Sequence, residues 1–116
     1  MRVAFRLQVR PELLDEYRRV HSPVRRDMLD AIAQSGRTNY SLFLDETDGT
    51  LFGYYEVEDD AAAQEFLAGS TVASAWEAEM GRFFVALGAD GNGARADQAA
   101  RRLTEVFNLT DQRESS

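Results

Sequence analysis

Apolar and polar residues alternate at the start of the chain with the period of a half-buried β-strand. Every second residue from Val3 to Val9 is apolar, and the residues between them are small or polar. Segments 38–44 and 51–57 have strand-like composition, and they flank Asp45–Gly49, whose Asp-Gly pair is typical of a hairpin turn. The apolar residues within 103–109 predict a final strand.

Apolar residues recur at helical spacing after the first strand. Pro11 suits the first turn of a helix, where a missing N–H costs nothing, and the helical pattern continues to His21. Ser22 and Pro23 form a cap followed by a first-turn proline, so we expect the helix to restart there. Gly36 predicts the end of that second helix.

A second helical region follows the hairpin. Asp59 or Asp60 is expected to cap its first helix, and Thr71 is expected to cap a second helix that carries Trp76. Residues 88–102 are rich in Gly, Ala, Asp and Arg, which predicts a mobile connection.

These elements follow the order β-α-β-β-α-β, which defines the ferredoxin-like fold of the α+β class. We expect one domain over residues 1–110 and a frayed polar tail at 111–116. The predicted sheet is antiparallel with four strands and has helices on one face only. Because the other face has no cover within the chain, we expect a homodimer of the α/β-barrel type, packed sheet to sheet.

Composition and charge exclude several classes of function. The 116 residues carry a net charge of −7, which disfavours nucleic acid as a partner because phosphate binding needs a concentrated basic surface. The chain has no cysteine and no apolar segment approaching the ~20 residues that span a bilayer. Arg2 comes too early for the apolar core of a signal peptide, so we expect no such segment. We therefore expect a soluble, cytoplasmic protein without a membrane partner.

His21 is the only histidine, and Tyr17 precedes it by four residues. Residues at this spacing share one face of a helix, so a phenol and an imidazole would bind and protonate the same small molecule. A lone histidine is more often a surface or satisfied core residue, and that alternative stays open at this point.

The sequence favours acid–base chemistry without a bound cofactor. It has neither a Cys/His cluster nor a carboxylate-rich calcium loop, so we expect no metal site. The glycines at 88–93 do not follow a strand, as a dinucleotide-binding loop would. Trp76, the sole tryptophan, and Tyr40 supply flat surfaces that suit the C–H faces of sugars. Trp76 equally suits packing in the core, and a strand tyrosine such as Tyr40 more often packs than binds a ligand.

Five segments of the chain resemble the L-rhamnose mutarotases, in the same order and at nearly unbroken spacing over about residues 2–109. They are Phe5-x-Leu-Gln-Val9-x-Pro11, Glu16-Tyr17-x-x-x-His21-x-Pro23, Asn39-Tyr40-x-x-x-Leu44-Asp45, Trp76 with Met80, and Glu105-Val106-Phe107-x-Leu109.

This resemblance implies a dimeric ferredoxin-like enzyme that interconverts the α and β anomers of L-rhamnose without a metal. It implies that His21 is the proton donor and that Tyr17 and Tyr40 contact the sugar, as does a pair of adjacent tryptophans. The chain departs from that pair, because Trp76 is followed by Glu77. A carboxylate in place of an aromatic ring would alter which sugar fits. The alternative that Glu77 simply faces solvent stays open at this point.

Hemiacetal chemistry requires an acid at the ring oxygen and a base at the anomeric hydroxyl. We assign His21 as the acid and leave the base open among Tyr17, Glu77 and a water molecule. The alternative function is a cofactor-free small monooxygenase or cyclase, or a ligand-binding dimer of the same fold, each of which needs a deep apolar pocket.

Overall fold

The computed structural model describes residues 1–85 and 100–115 of the chain. Its strands are β1 (Arg2–Val9), β2 (Thr38–Leu44), β3 (Thr50–Glu56), β4 (Phe84–Val85) and β5 (Arg101–Leu103). Its helices are α1 (Leu14–Val20), α2 (Arg26–Ser35), α3 (Asp60–Ala68), α4 (Thr71–Met80) and α5 (Leu109–Ser115), and a 3₁₀ turn at Pro11–Leu13 leads into α1.

The strands form one antiparallel sheet in the order β2-β3-β1-β4, with β5 also paired to β1. Strand β3 pairs with Arg2–Gln8 of β1 in continuous register. On the other edge of β1, β4 pairs with its last two residues and β5 pairs with Ala4, Phe5 and Arg6. This topology confirms the predicted α+β class with one antiparallel sheet, and it places the first strand at the centre of that sheet.

The core lies between the inner face of the sheet and the helices. The inward residues of β1 join Leu51 of β3, Tyr17 of α1 and Met80 of α4 in buried clusters. On the outer face, Phe43 and Phe52 lie opposite each other across β2 and β3 and are 65% and 45% exposed. Within the described residues, the outer face thus presents aromatic surface to solvent.

Two helix starts differ from the sequence expectation. Helix α2 begins at Arg26 rather than at Pro23, because the Arg25 carbonyl is the first to accept helical hydrogen bonds, from the Met28 and Leu29 amides. Helix α4 is capped by Ser70, whose hydroxyl accepts from the Ala73 amide at 3.2 Å, so the prediction of Thr71 as the cap was wrong by one residue. The expected cap at Asp59 is confirmed, by a 3.0 Å bond from the Ala62 amide.

The predictions for the C-terminal segment were mostly wrong. The last strand, β5, ends at Leu103, which pairs with Ala4 of β1. Only Arg2 and Val3 of β1 lie beyond that pair, so β1 could pair with at most two more residues of the predicted strand. The chain instead crosses Arg2, which binds Glu105 and Asp111 through its guanidinium group. Helix α5 replaces the expected frayed tail at residues 111–115.

Asn108 explains why α5 begins where it does. Its side-chain oxygen accepts a hydrogen bond from the Asp111 amide at 3.0 Å, which is the geometry of an N-cap. The predicted connection at 88–102 mostly lies outside the described residues, but its final residues, Arg101 and Arg102, belong to β5. The short strand β4 had no sequence signal that we recognised.

Gly53 on β3 should be essential for the packing of Phe5. It lies opposite Phe5 in the ladder, and a Cβ atom at Gly53 would lie 2.1 Å from the end of the Phe5 ring. We expect Gly53→Ala to lower the free energy of unfolding by roughly 1–3 kcal/mol, the usual cost of overpacking, in urea denaturation followed by circular dichroism.

Gly69→Ala is the matched control, because a Cβ atom there would meet nothing closer than 3.7 Å. Its stability should equal or slightly exceed that of the wild type. Equal stability of Gly53→Ala and wild type would show that the Phe5 ring is not held in this position.

Candidate functional site

A cleft of about 320 Å³ opens between the inner face of the sheet and the helices. Its volume is near the lower end of the range for small-molecule pockets, about 300–1,000 Å³. The structure brings all five residues predicted for the site to this one cleft. They are Tyr17, His21, Tyr40, Trp76 and Glu77.

His21 lies at the C-terminal end of α1, and the end of this helix fixes which ring nitrogen carries hydrogen. The His21 amide bonds to the Arg18 carbonyl at 3.3 Å, and the Tyr17 carbonyl accepts instead from His21 Nδ1 at 2.8 Å. Because a carbonyl oxygen can only accept, Nδ1 must be the protonated nitrogen. Nε2 of the neutral ring is therefore the nitrogen with a free lone pair.

Aromatic side chains hold the His21 ring from two sides. The centroid of the Tyr17 ring lies 4.1 Å from that of the His21 ring. The Trp76 ring meets the His21 ring edge to face, with 5.6 Å between centroids. Tyr17 also contacts Phe83 and Phe84, so the imidazole rests on the main core cluster. Trp76 lines the cleft and also packs against this cluster. Its core-packing interpretation is therefore confirmed, and its contact with a sugar stays a prediction.

A β-bulge brings Tyr40 to the cleft. The register between β2 and β3 shifts by one residue between Thr38 and Ser41, which leaves Asn39 and Tyr40 together opposite Tyr55. Asn39 has a positive φ of 47°, a conformation that asparagine tolerates better than most residues. The Tyr40 ring consequently stacks on Tyr55 at 5.2 Å and meets Phe5 edge to face at 6.2 Å.

The environment of the cleft shifts the pKa values of its proton-bearing groups. Desolvation lowers the pKa of His21 below its ordinary 6.5, outweighing the bond to the Tyr17 carbonyl, which acts in the opposite direction. Desolvation raises the pKa of Tyr17. It also raises the pKa of Tyr40, where it outweighs the opposing effect of the Arg37 cation. At neutral pH the cleft thus holds a neutral imidazole and two neutral phenols.

Glu77 adds a carboxylate beside these groups. It follows Trp76 on α4, is partly buried and lines the same cleft. Its negative charge contributes to the raised pKa of both Tyr17 and Tyr40, which places it within electrostatic reach of each phenol. The residues predicted for the site therefore offer one carboxylate acceptor, two phenol donors and one imidazole.

Sequence reasoning missed the charged part of the cleft. Arg37, Asp60, Gln64 and Arg102 also line it, together with Tyr55. The sequence indicates Asp60 only as a helix cap and Arg102 only as the end of a connection. These residues come from four separate elements or loops, so no local spacing in the sequence links them.

The described residues give no support for a metal site or a membrane span. Among them, no three His, Asp or Glu side chains are grouped so as to hold a metal ion. None of their helices has the length and apolar character needed to cross a bilayer.

Comparison with known proteins identifies relatives. The sequence model of the L-rhamnose mutarotase family matches residues 2–109. The L-rhamnose mutarotase of Pectobacterium atrosepticum is 38% identical over 81 residues, which make up 70% of this chain and 77% of that protein. The L-rhamnose mutarotase of Listeria monocytogenes is 43% identical over 60 residues, which make up 52% of this chain and 58% of that protein.

A solved structure supports the fold. The crystal structure of an L-rhamnose mutarotase from Formosa agariphila superposes with a TM-score of 0.73, over 94% of this chain and 98% of that chain. At 22% sequence identity, this likeness bears on the fold alone.

The His21 ring should titrate below pH 6.5, with Nδ1 carrying the hydrogen in the neutral form. Since His21 is the only histidine, its ring signals in two-dimensional ¹H–¹⁵N NMR need no assignment. In urea-unfolded protein the pKa should return to about 6.5. A folded-state pKa above 6.5, or a neutral ring protonated at Nε2, would contradict the geometry described above.

Proposed function

The chain belongs to the L-rhamnose mutarotase family, and we propose that its cleft interconverts the α and β anomers of L-rhamnose by proton transfer through His21. The observation that carries this proposal is the bond from His21 Nδ1 to the Tyr17 carbonyl at 2.8 Å. It leaves Nε2 as the proton acceptor of a half-buried imidazole, in a cleft that also holds neutral hydroxyl donors.

Anomer exchange requires that one proton move between two oxygens on the same carbon. In ring opening, the O1 hydroxyl loses its proton, the C1–O5 bond breaks, and O5 gains a proton as C1 becomes an aldehyde. His21 Nε2 accepts the proton from O1, and the resulting imidazolium gives it to O5. Rotation about C1–C2 turns the other face of the aldehyde toward the O5 hydroxyl, and the reverse transfers close the ring as the other anomer.

His21 therefore acts first as a base and then as an acid within each opening or closing step. The sequence expectation assigned it as the acid with a separate base. The lowered pKa favours the neutral ring as the starting form. The raised pKa of Tyr17 disfavours a phenolate there, so Tyr17 serves as a hydrogen-bond donor rather than as the base.

The remaining predicted residues bind the sugar. The Tyr17 and Tyr40 hydroxyls donate hydrogen bonds to sugar oxygens, and the Trp76 ring packs against a C–H face of the pyranose. Glu77 accepts from a sugar hydroxyl near the reacting carbon. The alternative monooxygenase, cyclase or ligand-binding function requires a deep apolar pocket, and the charged residues that line this cleft disfavour it.

The enzyme is proposed to work in the cytoplasm, because a chain without cysteine fits a reducing compartment. Its substrate is uncharged, which agrees with the acidic balance of the chain.

His21→Ala should lower anomer exchange by about 10²- to 10⁴-fold, the usual contribution of one positioned general acid or base. His21→Gln should recover little of this loss, because an amide forms hydrogen bonds but does not shuttle a proton at neutral pH. The measurement is two-dimensional exchange NMR on the two anomeric protons of L-rhamnose, with circular dichroism to show that both variants fold.

The pH profile of the wild type distinguishes which form of His21 starts the reaction. With the neutral ring as starting form, exchange should rise with pH through the lowered pKa of His21 and level off near neutral pH. A rate that falls over the same range would mean that the imidazolium starts the reaction. A folded His21→Ala variant with wild-type exchange would remove His21 from the mechanism.

The outer face of the sheet supports a homodimer as the working form of the enzyme. Phe43 and Phe52 expose aromatic surface there, and Leu103 of β5 lies on the same face at 37% exposure. A second copy of the chain packed against this face would remove the apolar area from water and give the sheet its missing layer.

Light scattering should therefore give about twice the chain mass of 13.0 kDa at micromolar concentration. Phe52→Glu should shift the protein toward the monomer, because it places a charge in the apolar interface. Phe66→Glu is the control, since Phe66 is equally exposed, at 44%, but belongs to α3. A monomeric wild type would exclude this assembly without bearing on the chemistry.

A further inference from the structure

A second group of polar side chains lines the cleft and has no part in the proton transfer. Its centre is Asp60, whose Oδ1 accepts from the Tyr55 hydroxyl at 2.8 Å and from Arg37 at 3.0 Å. Its Oδ2 accepts from Arg102. Arg37 also donates to Gln64 at 3.1 Å. We call Arg37, Asp60 and Arg102 the charged cluster.

The charged cluster lies at a different end of the cleft from His21. Tyr17, which supports His21, belongs to the core cluster around Leu7 and Val9 of β1, whereas Tyr55 belongs to the cluster around Val3. Val3 and Leu7 are separated by four residues along an extended strand, or roughly 13 Å. A ligand whose reacting carbon meets His21 therefore turns its other end toward the charged cluster.

Stability alone is a poor explanation for these charges. The side chains of Arg37 and Asp60 are only 11% and 14% exposed, and the desolvation of such a pair offsets most of its attraction. In addition, Arg37 Nε is buried without a hydrogen-bond acceptor among the described residues. Burying these charges in the cleft therefore costs folding free energy, and hydrogen bonds to a polar ligand would offset that cost.

Stacked rings connect the charged cluster to the sugar-binding tyrosine. The Arg37 guanidinium lies 4.4 Å above the Tyr55 ring, and Tyr55 stacks on Tyr40 at 5.2 Å. A substrate held by the cluster would accordingly lie beside Tyr40 as well.

We propose that the charged cluster binds the hydroxyl groups of the sugar remote from the anomeric carbon, and so selects aldoses that carry those hydroxyls. This inference rests on the proposed function. Each hydroxyl both donates and accepts, and the cluster offers the matching groups, a carboxylate that accepts and guanidinium groups that donate. Arg102, which is 59% exposed, covers the cluster from the side of β5.

The test measures whether the effect of a substitution on sugar affinity depends on the presence of a particular sugar hydroxyl. Calorimetry gives the Kd of L-rhamnose and of its 2-, 3- and 4-deoxy analogues for wild type, Asp60→Asn and Arg102→Gln, and exchange NMR gives kcat for L-rhamnose. We expect Asp60→Asn to raise the Kd for L-rhamnose at least tenfold, and Arg102→Gln at least threefold. The kcat should stay within threefold of wild type, because the reacting atoms are untouched.

For at least one deoxy analogue, the same substitutions should change the Kd by less than twofold, since the hydroxyl that the cluster contacts is already missing. Arg18→Gln is the matched control, because Arg18 is similarly exposed, at 53%, and forms an ion pair with Glu46 away from the cleft. It should leave every Kd unchanged. Thermal unfolding monitors folding, and Arg102→Gln decides the question if Asp60→Asn does not fold.

An equal rise in Kd for L-rhamnose and all three deoxy analogues would overturn the inference, as would Arg102→Gln behaving like Arg18→Gln. Failure of the proposed function gives a different result. In that case the wild type would not exchange the anomers of L-rhamnose, while the binding comparison would still show whether the cluster recognises sugar hydroxyls. A wild type that binds none of the four sugars would overturn both.

Discussion

Strand β1 pairs along both of its edges, and the position of everything else in the described sheet depends on that pairing. On one edge it bonds to β3 over seven residue pairs, and on the other to β4 and β5. Its inward side chains enter both buried clusters, and Phe5 contacts both. Because Gly53 faces Phe5 without a side chain, the Phe5 ring lies close against Gly53, and Phe5 lines the cleft.

The chemistry of His21 depends on the place where α1 ends. A helix leaves its last carbonyls without intrahelical donors, and here the imidazole takes the place of the missing donor at the Tyr17 carbonyl. One hydrogen bond thus orients the ring, fixes its tautomer and leaves Nε2 as the acceptor. The aromatic neighbours that hold the ring also desolvate it, so the packing that positions His21 keeps it neutral.

The cleft combines two environments that match the two kinds of surface on a sugar. Near His21 it is mainly aromatic, which suits the C–H faces of a pyranose and keeps the imidazole and phenols uncharged. Around Asp60 it is charged, with each carboxylate oxygen already bound to a donor.

The sequence determined the local elements and most of the site. Alternation and turn residues located β1, β2, β3 and the hairpin, since these depend on neighbours within a few residues. The spacing of Tyr17 and His21 placed the two rings together, and this prediction needed only the helical period. Tyr40 and Trp76 were candidates as flat aromatic surfaces, and the resemblance to the mutarotases added Glu77. The structure places all three in the same cleft.

Only the tertiary structure decided three further features: the end of the last strand, the protonated nitrogen of His21 and the charged cluster. They depend on contacts between distant residues or on side-chain geometry that residue spacing does not fix. The last strand ends at Leu103 because β1 has almost no unpaired residues left beyond Ala4, a limit that apolar composition does not reveal. The proton-accepting nitrogen of His21 depends on which carbonyl its ring meets at the helix end. The charged cluster around Asp60 joins residues separated by up to 65 positions, and folding alone brings them to one cleft.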